Sequence, residues 1–294
     1  MTFTVELQSM RLGIKLKFFL LGWLVLALSA AHSQVGVQIP SSQKFNGEPI
    51  TLNACLFWAP ALYQDHRSQA AVVLLHGCAG ALDAKGKLSH RMTDYAQRFN
   101  EQGWHALVLD SLTPRGVKQI CTQPYSKRLI TPLLRAQDVL DAHAWLTEQK
   151  GIDQDHIGYV GWSNGGSTVL AATNLNNAVV AASSLRPVAA AVFYPGCVED
   201  RNLGYRPNAP MLIQVGDRDD WTHMGPCKAM VEQALEPKPE IIAYPGAYHQ
   251  FDSEQDVKIR YDVGSGKGVH YGGNPGANLA SKKRLIEFLK IELE

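Results

Sequence analysis

The stretch Gly161-Trp162-Ser163-Asn164-Gly165-Gly166 sets a hydroxyl between glycines two residues to either side. A serine so placed, if it follows a strand and opens a helix, sits on a tight turn that lifts its Oγ above the end of a sheet. It then needs a base to take its proton, and a third group to orient that base. In this geometry the chain order is serine, acid, histidine. His249, in Tyr244-Pro245-Gly246-Ala247-Tyr248-His249-Gln250-Phe251, directly follows an apolar run and is the candidate base. His270 lies farther on and reads as a surface or loop residue, and His223 comes too early in the chain. The acid falls in Gly216-Asp217-Arg218-Asp219-Asp220-Trp221. Three carboxylates crowd this loop, and spacing favours Asp219, with Asp220 as the alternative.

An acyl-transfer centre also needs donors for a developing oxyanion. The backbone N–H of Asn164, at a helix start, is one. The loop His76-Gly77-Cys78-Ala79-Gly80 offers the second, through the backbone of Cys78. As a nucleophile Cys78 lacks the strand–turn–helix setting, and His76 reads as a structural loop residue. Arg115, in Pro114-Arg115-Gly116, is read equally well as a ligand for a substrate carboxylate or as a structural ion pair. Trp162 and Trp221 flank the candidate nucleophile and acid and are further candidates for substrate binding.

These residues require a sheet edge to gather on. Ala71 to Leu75, His105 to Leu109, Ile157 to Val160, Val188 to Tyr194, Pro210 to Val215 and Glu240 to Tyr244 read as strands. Helices alternate with them. Met92, Tyr95, Ala96 and Phe99 share one helical face, with Gly103 placed to end that helix. Thr131 and Pro132 open a second, whose inner face carries Ala136, Val139, Leu140, His143 and Leu146. A small-residue helix follows Ser163, and Leu279 to Leu293 closes the chain. The pattern is α/β, a mostly parallel sheet with helices on both faces. Val35 to Trp58 is less regular and is read as antiparallel edge strands.

Composition fits this reading. The chain has 294 residues, 46% hydrophobic and 19% charged, enough for one sizeable core spanning 34–294. A formal net charge of +1 gives no global attraction to nucleic acid or anionic membrane. Residues 1–33 read as a signal peptide: Arg11, Lys15 and Lys17 form a basic region, Phe18 to Leu28 an apolar one, and Ser29 to Ser33 offers small residues for cleavage after Ala31 or Ser33. Met10 is an alternative start, since Glu6 is unusual in such a segment. The expected location is therefore the periplasm or the exterior, with no membrane span after processing.

Export permits disulfides. Of the five cysteines, Cys78, Cys121, Cys197 and Cys227 converge on one rim of the sheet, and Cys55 is the expected free thiol. Three pairings of the four are open, with Cys121–Cys197 slightly favoured, against four reduced buried thiols. No cysteine or histidine spacing resembles a zinc site, and no cofactor is required.

Together, Leu75-His76-Gly77-Cys78, Asp110-Ser111 with Pro114-Arg115-Gly116, the Gly161 to Gly166 stretch, Tyr194-Pro195-Gly196-Cys197, Gly216 through Asp219-Asp220-Trp221-Thr222, and Tyr244 to His249 with Phe251-Asp252 resemble the dienelactone hydrolase family. The resemblance runs from about Ala71 to Phe288. It implies an α/β-hydrolase fold and a Gly-x-x-Asp acid, which falls on Asp219. The name-giving enzymes carry cysteine at the elbow, so Ser163 implies the serine branch and a general ester or lactone substrate. A peptidase of the same fold and a non-catalytic binding protein on this scaffold are the alternatives.

Overall fold

The computed structural model describes residues 33–60, 68–263 and 266–294. Apart from Ser33, the targeting segment read from the sequence lies outside the described residues. Strands β1 (Ser33–Phe45) and β2 (Glu48–Trp58) form an antiparallel hairpin. Its turn is Asn46-Gly47, both at positive φ (53° and 87°), the conformation that suits a two-residue hairpin. β2 pairs antiparallel with β4 (His105–Asp110). From there β3 (Gln69–Leu75), β5 (Ile152–Trp162), β6 (Ala190–Phe193), β7 (Met211–Gly216) and β8 (Glu240–Tyr244) continue in parallel. The order of this eight-stranded sheet is β1-β2-β4-β3-β5-β6-β7-β8. The expected antiparallel edge is present, and it is one hairpin.

Alternation along the strands divides the core into two layers. Ala71, Val73 and Leu75 of β3 point to the face covered by helices α2 (Pro132–Thr147), α3 (Asn164–Thr173) and α6 (Met224–Gln233). Val72 and Leu74 point to the other face, against α1 (His90–Glu101) and α7 (Pro275–Leu293). The central strands are therefore largely apolar on both sides, as a parallel sheet between helix layers requires. The side chain of Thr131 accepts from the N–H of Leu134 and caps α2, with Pro132 in its first turn. Short helices α4 (Ala178–Ala181) and α5 (Val198–Leu203) follow β5 and β6. A small ribbon, β9 (Lys258–Arg260) with β10 (Val269–Tyr271), follows β8 and leans over the carboxyl edge of the sheet. Among the described residues, no helix is long and apolar enough to cross a membrane.

Two disulfides are present, Cys78–Cys121 and Cys197–Cys227, and Cys55 is free and buried. The four rim cysteines do pair, but the favoured Cys121–Cys197 pairing is wrong. The Cys121 segment turns back over the loop after β3, where the N–H of Ile120 donates to the carbonyl of Cys78 at 2.8 Å. Cys197 instead faces the first turns of α6. Crosslinks closing loops of this length contribute roughly 2–4 kcal/mol each. Unfolded but unreduced protein should expose one reactive thiol by titration. Three or five would contradict these pairings.

Candidate active site

Strand β5 ends at Trp162 and α3 begins at Asn164, so Ser163 alone makes the turn. Its φ of 54° and ψ of −119° lie in a region costly for a side-chain-bearing residue, on the order of 1–3 kcal/mol. Packing enforces the turn. A Cβ on Gly161 would sit 2.2 Å from the carbonyl oxygen of Gly165, and one on Gly165 only 2.1 Å from that of Leu75. Strand and helix can approach this closely only because both residues are glycine. Gly77 lies against Ser163 as well, 3.4 Å from its Cβ to the position a Gly77 Cβ would occupy.

Ser163 Oγ lies 2.9 Å from His249 Nε2, and His249 Nδ1 lies 2.8 Å from Asp219 Oδ2. Of the three carboxylates in the acid loop, Asp219 is the one that reaches the histidine. Asp217 Oδ1 accepts from the N–H of Gly246 at 2.7 Å, which ties its loop to the one after β8. Asp220 accepts from the backbone N–H of His270 at 2.8 Å and pairs with its ring at 2.7 Å. His270, stacked on Tyr248 with centroids 4.8 Å apart, thus docks the β9–β10 ribbon.

Asp219 is buried and fully engaged. Its Oδ1 accepts from the N–H groups of Trp221 (2.9 Å) and Thr222 (2.8 Å), and the Thr222 hydroxyl lies 2.9 Å from Oδ2. Burial pushes the carboxyl up, but the charge and hydrogen bond of His249, with the Thr222 donors, hold it below the usual carboxylate range. The imidazole is clasped between Tyr194 and Trp221, with ring centroids at 4.5 and 4.7 Å. Tyr194 is itself fixed, at φ 39°, by its hydroxyl donating to Asp252 at 2.7 Å. Asp252 also accepts from Tyr95 and from Arg91. This support for the histidine was not read from the sequence, nor was Thr222.

Cys78 and Asn164 both line the cavity that opens at Ser163. The first N–H groups of a helix have no intrahelical partner, so that of Asn164 is available to a ligand. Between these two segments lies Arg135 of α2, fully buried. One of its Nη atoms donates to Asn164 Oδ1 at 2.6 Å and the other to the carbonyl of His76 at 3.0 Å. A single guanidinium thereby ties together both loops that carry the candidate oxyanion donors. Among the described residues Arg135 makes no ion pair. Burial pulls it down to about 10, against the attraction of Asp138 and Asp110, so it stays charged at neutral pH. Burial, reinforced by Arg135, pulls His76 down to about 3 and keeps it neutral. Its Nε2 accepts from the N–H of Ser111 and its Nδ1 lies 2.7 Å from the carbonyl of Gly77, a structural role.

Of the substrate-binding expectations, that for Trp162 is overturned, and of the two readings of Arg115 the structural ion pair holds. Arg115 is not at the rim. Its buried guanidinium makes a two-point ion pair with Asp138 (2.8 Å for each contact) and donates to the carbonyl of Ser111. Trp162 turns its ring into the aromatic core, 1% exposed, stacked on Phe193 at 5.6 Å. Side chains alternate along β5, and a residue next to the outward-facing Ser163 must point inward. Trp221 faces the cleft, beside His249.

A mostly parallel eight-stranded sheet, with a serine on a strand–helix elbow, defines an α/β hydrolase. The sequence matches the dienelactone hydrolase family over residues 60–292, and the chain belongs to that family. Among curated proteins none matches it. Solved structures share the fold at low identity. A dienelactone hydrolase-like promiscuous phosphotriesterase from metagenomic libraries superposes with a TM-score of 0.62 at 16% identity, covering 89% of this chain and 100% of its own. A dienelactone hydrolase from Anabaena variabilis gives 0.59 at 18%, covering 90% and 99%. Dipeptidyl peptidase 4 from Porphyromonas gingivalis gives 0.61 at 15%, covering 89% of this chain and 36% of the peptidase.

The three aspartates of one loop provide a test. Asp219→Asn should lower kcat by about 10⁴-fold, because an amide favours the wrong imidazole tautomer. Asp217→Asn and Asp220→Asn, whose partners are loop backbone and His270, should stay within about tenfold of the parent. Steady-state kinetics on one chromogenic ester distinguish them, and a larger loss at Asp220 than at Asp219 would contradict the geometry. The Asp219 contribution to folding also has a sign. Its depressed carboxyl stabilises the fold above about pH 4, the unfolded value, and that contribution is lost as pH falls through the folded value. The stability difference between parent and Asp219→Asn in urea titrations should therefore shrink on acidification.

Proposed function

We propose that this hydrolase is an exported serine esterase or lactonase acting through a covalent acyl-enzyme. The observation that carries the proposal is the unbroken line from Ser163 Oγ through the His249 ring to Asp219, with both hydrogen bonds at 2.9 Å or less. In this reading His249 Nε2 takes the proton of Ser163 as Oγ attacks the carbonyl carbon. The oxyanion that forms accepts from the N–H groups of Asn164 and Cys78, with the Arg135 charge behind them. Asp219 holds the proton-bearing Nδ1 and stabilises the imidazolium without itself accepting the proton. The C–O bond to the alcohol then breaks, and His249 delivers its proton to the departing oxygen. Water, deprotonated by the same ring, attacks the acyl-serine and releases the acid. No metal or organic cofactor enters these steps, and the partner is a small-molecule ester or lactone.

Export is supported by the leader-like composition of residues 1–33 and by the two disulfides, which persist in oxidising compartments. Amide hydrolysis would use the same groups, and three structural neighbours carry peptidase names. Peptide amides should therefore be assayed beside esters and lactones.

Ser163→Ala should lower kcat on aryl esters by several decades, on the order of 10⁴–10⁶, with circular dichroism and thermal unfolding little changed. Near-normal esterase activity in that variant would overturn the assignment. Faster turnover of peptide amides than of every ester and lactone tried would move the substrate class to peptides.

A further inference from the structure

Ser163 stands where two cavities of different character meet. The first, about 540 Å³, is walled by Tyr125, Val198, Trp221, Pro226 and Tyr261, and its surface is mostly apolar. The second, about 490 Å³, also has more apolar than polar surface, but it carries more charged side chains, among them Arg91, Asp94, Glu254 and Lys282. Ser163, Cys78 and Trp221 border both. His249 borders only the second, while Asn164 borders only the first.

That asymmetry orients an ester. The leaving oxygen must receive a proton from His249 Nε2, so the alcohol lies on the side where the imidazole is accessible. The acyl group then extends to the opposite side, into the first cavity. Tyr125, Val198 and Tyr261 remain 50%, 48% and 64% exposed around that cavity, an apolar rim left open to solvent. The aromatic faces of Tyr125, Tyr261 and Trp221 suit a flat ring.

The walls are also fixed. Cys78–Cys121 anchors the segment leading to Tyr125, and Cys197–Cys227 joins the wall bearing Val198 to the wall bearing Pro226. A cavity held open in this way is shaped before the ligand arrives, which lowers the ordering cost of filling it.

We propose that the first cavity is the acyl subsite and takes a ring-bearing acyl group, and that the second, more charged cavity takes a hydroxylated alcohol. This rests on the esterase reading above and adds the class of ester to it. Burial of a phenyl ring from water corresponds to at least about a tenfold gain in kcat/KM.

The test holds one moiety constant and varies the other. With p-nitrophenol as leaving group, the ratio of kcat/KM for hydrocinnamate over acetate should be at least about ten. Val198→Trp, which intrudes on the cavity, should bring that ratio to about one or below. Tyr125→Ala, which removes a wall, should lower it severalfold. With hydrocinnamate as the acyl group, the glycerol monoester should be cleaved severalfold faster than the propyl ester. A parent ratio near one, or a ratio unchanged in both variants, would overturn the acyl assignment. Preference for the propyl ester would overturn the alcohol assignment. Absence of Ser163-dependent cleavage of any of these esters would overturn the esterase reading itself.

Discussion

Everything at this centre depends on how closely the end of β5, the start of α3 and the loop after β3 approach one another. A turn of one residue between strand and helix is sterically costly, and it persists because surrounding packing leaves no alternative. Gly161 and Gly165 meet with no room for a methyl group, and a Cβ on Gly165 would also lie 2.1 Å and 2.5 Å from the carbonyl oxygens of Leu75 and His76. The same contact brings Gly77 and Cys78 beside Ser163. A larger side chain at Gly161 or Gly165 would force the elements apart by an ångström or more, separating the hydroxyl from His249 and the two candidate oxyanion donors from each other. At the acid loop, Gly216 has the corresponding role: a Cβ there would lie 2.2 Å from the carbonyl of Ala247, in the loop that carries His249.

Charge placement follows from that geometry. The carboxylate of Asp219 and the guanidinium of Arg135 are both buried. Burying a charge is tolerated only when hydrogen bonds replace its water. Asp219 accepts from two backbone N–H groups, a hydroxyl and an imidazole. Arg135 donates to Asn164 and to the carbonyl of His76, and makes no ion pair among the described residues. A negative group thus faces the imidazole, and a positive group lies behind the amides that are the candidate oxyanion donors. Such preorganised charge acts on the transition state without reorganisation.

Much of this was legible in the sequence, for identifiable reasons. Buried parallel strands are continuous apolar runs, and six were read in the right order. The elbow and the histidine loop are local motifs with strict steric needs, so Ser163 and His249 could be named from composition and spacing. Spacing favours Asp219 and the family pattern points to the same residue, but spacing alone separates it weakly from Asp217 and Asp220, which are chemically identical and differ solely in where their loop points them. What escaped was whatever depends on distant chain segments. The Cys78–Cys121 and Cys197–Cys227 pairings, the clasp of Tyr194 and Trp221 on His249, and Arg135 all arise from contacts across the fold. Of the two readings of Arg115 the structural ion pair holds, but its partner Asp138 could not be named because it sits one helix away. Asn46-Gly47, by contrast, was a local hairpin signal that the sequence reading passed over. The β9–β10 ribbon, with strands of three residues, is too short for periodicity to reveal.

The central claim is that Ser163 is made nucleophilic by its contact with His249. Reaction with a fluorophosphonate, followed by mass spectrometry of the digested protein, tests that claim without knowledge of the natural substrate. One stoichiometric adduct is predicted, on the peptide containing Ser163, with labelling slowed by several orders of magnitude in His249→Ala. An adduct on another residue, or a Ser163 that stays unlabelled in folded protein, would contradict the account.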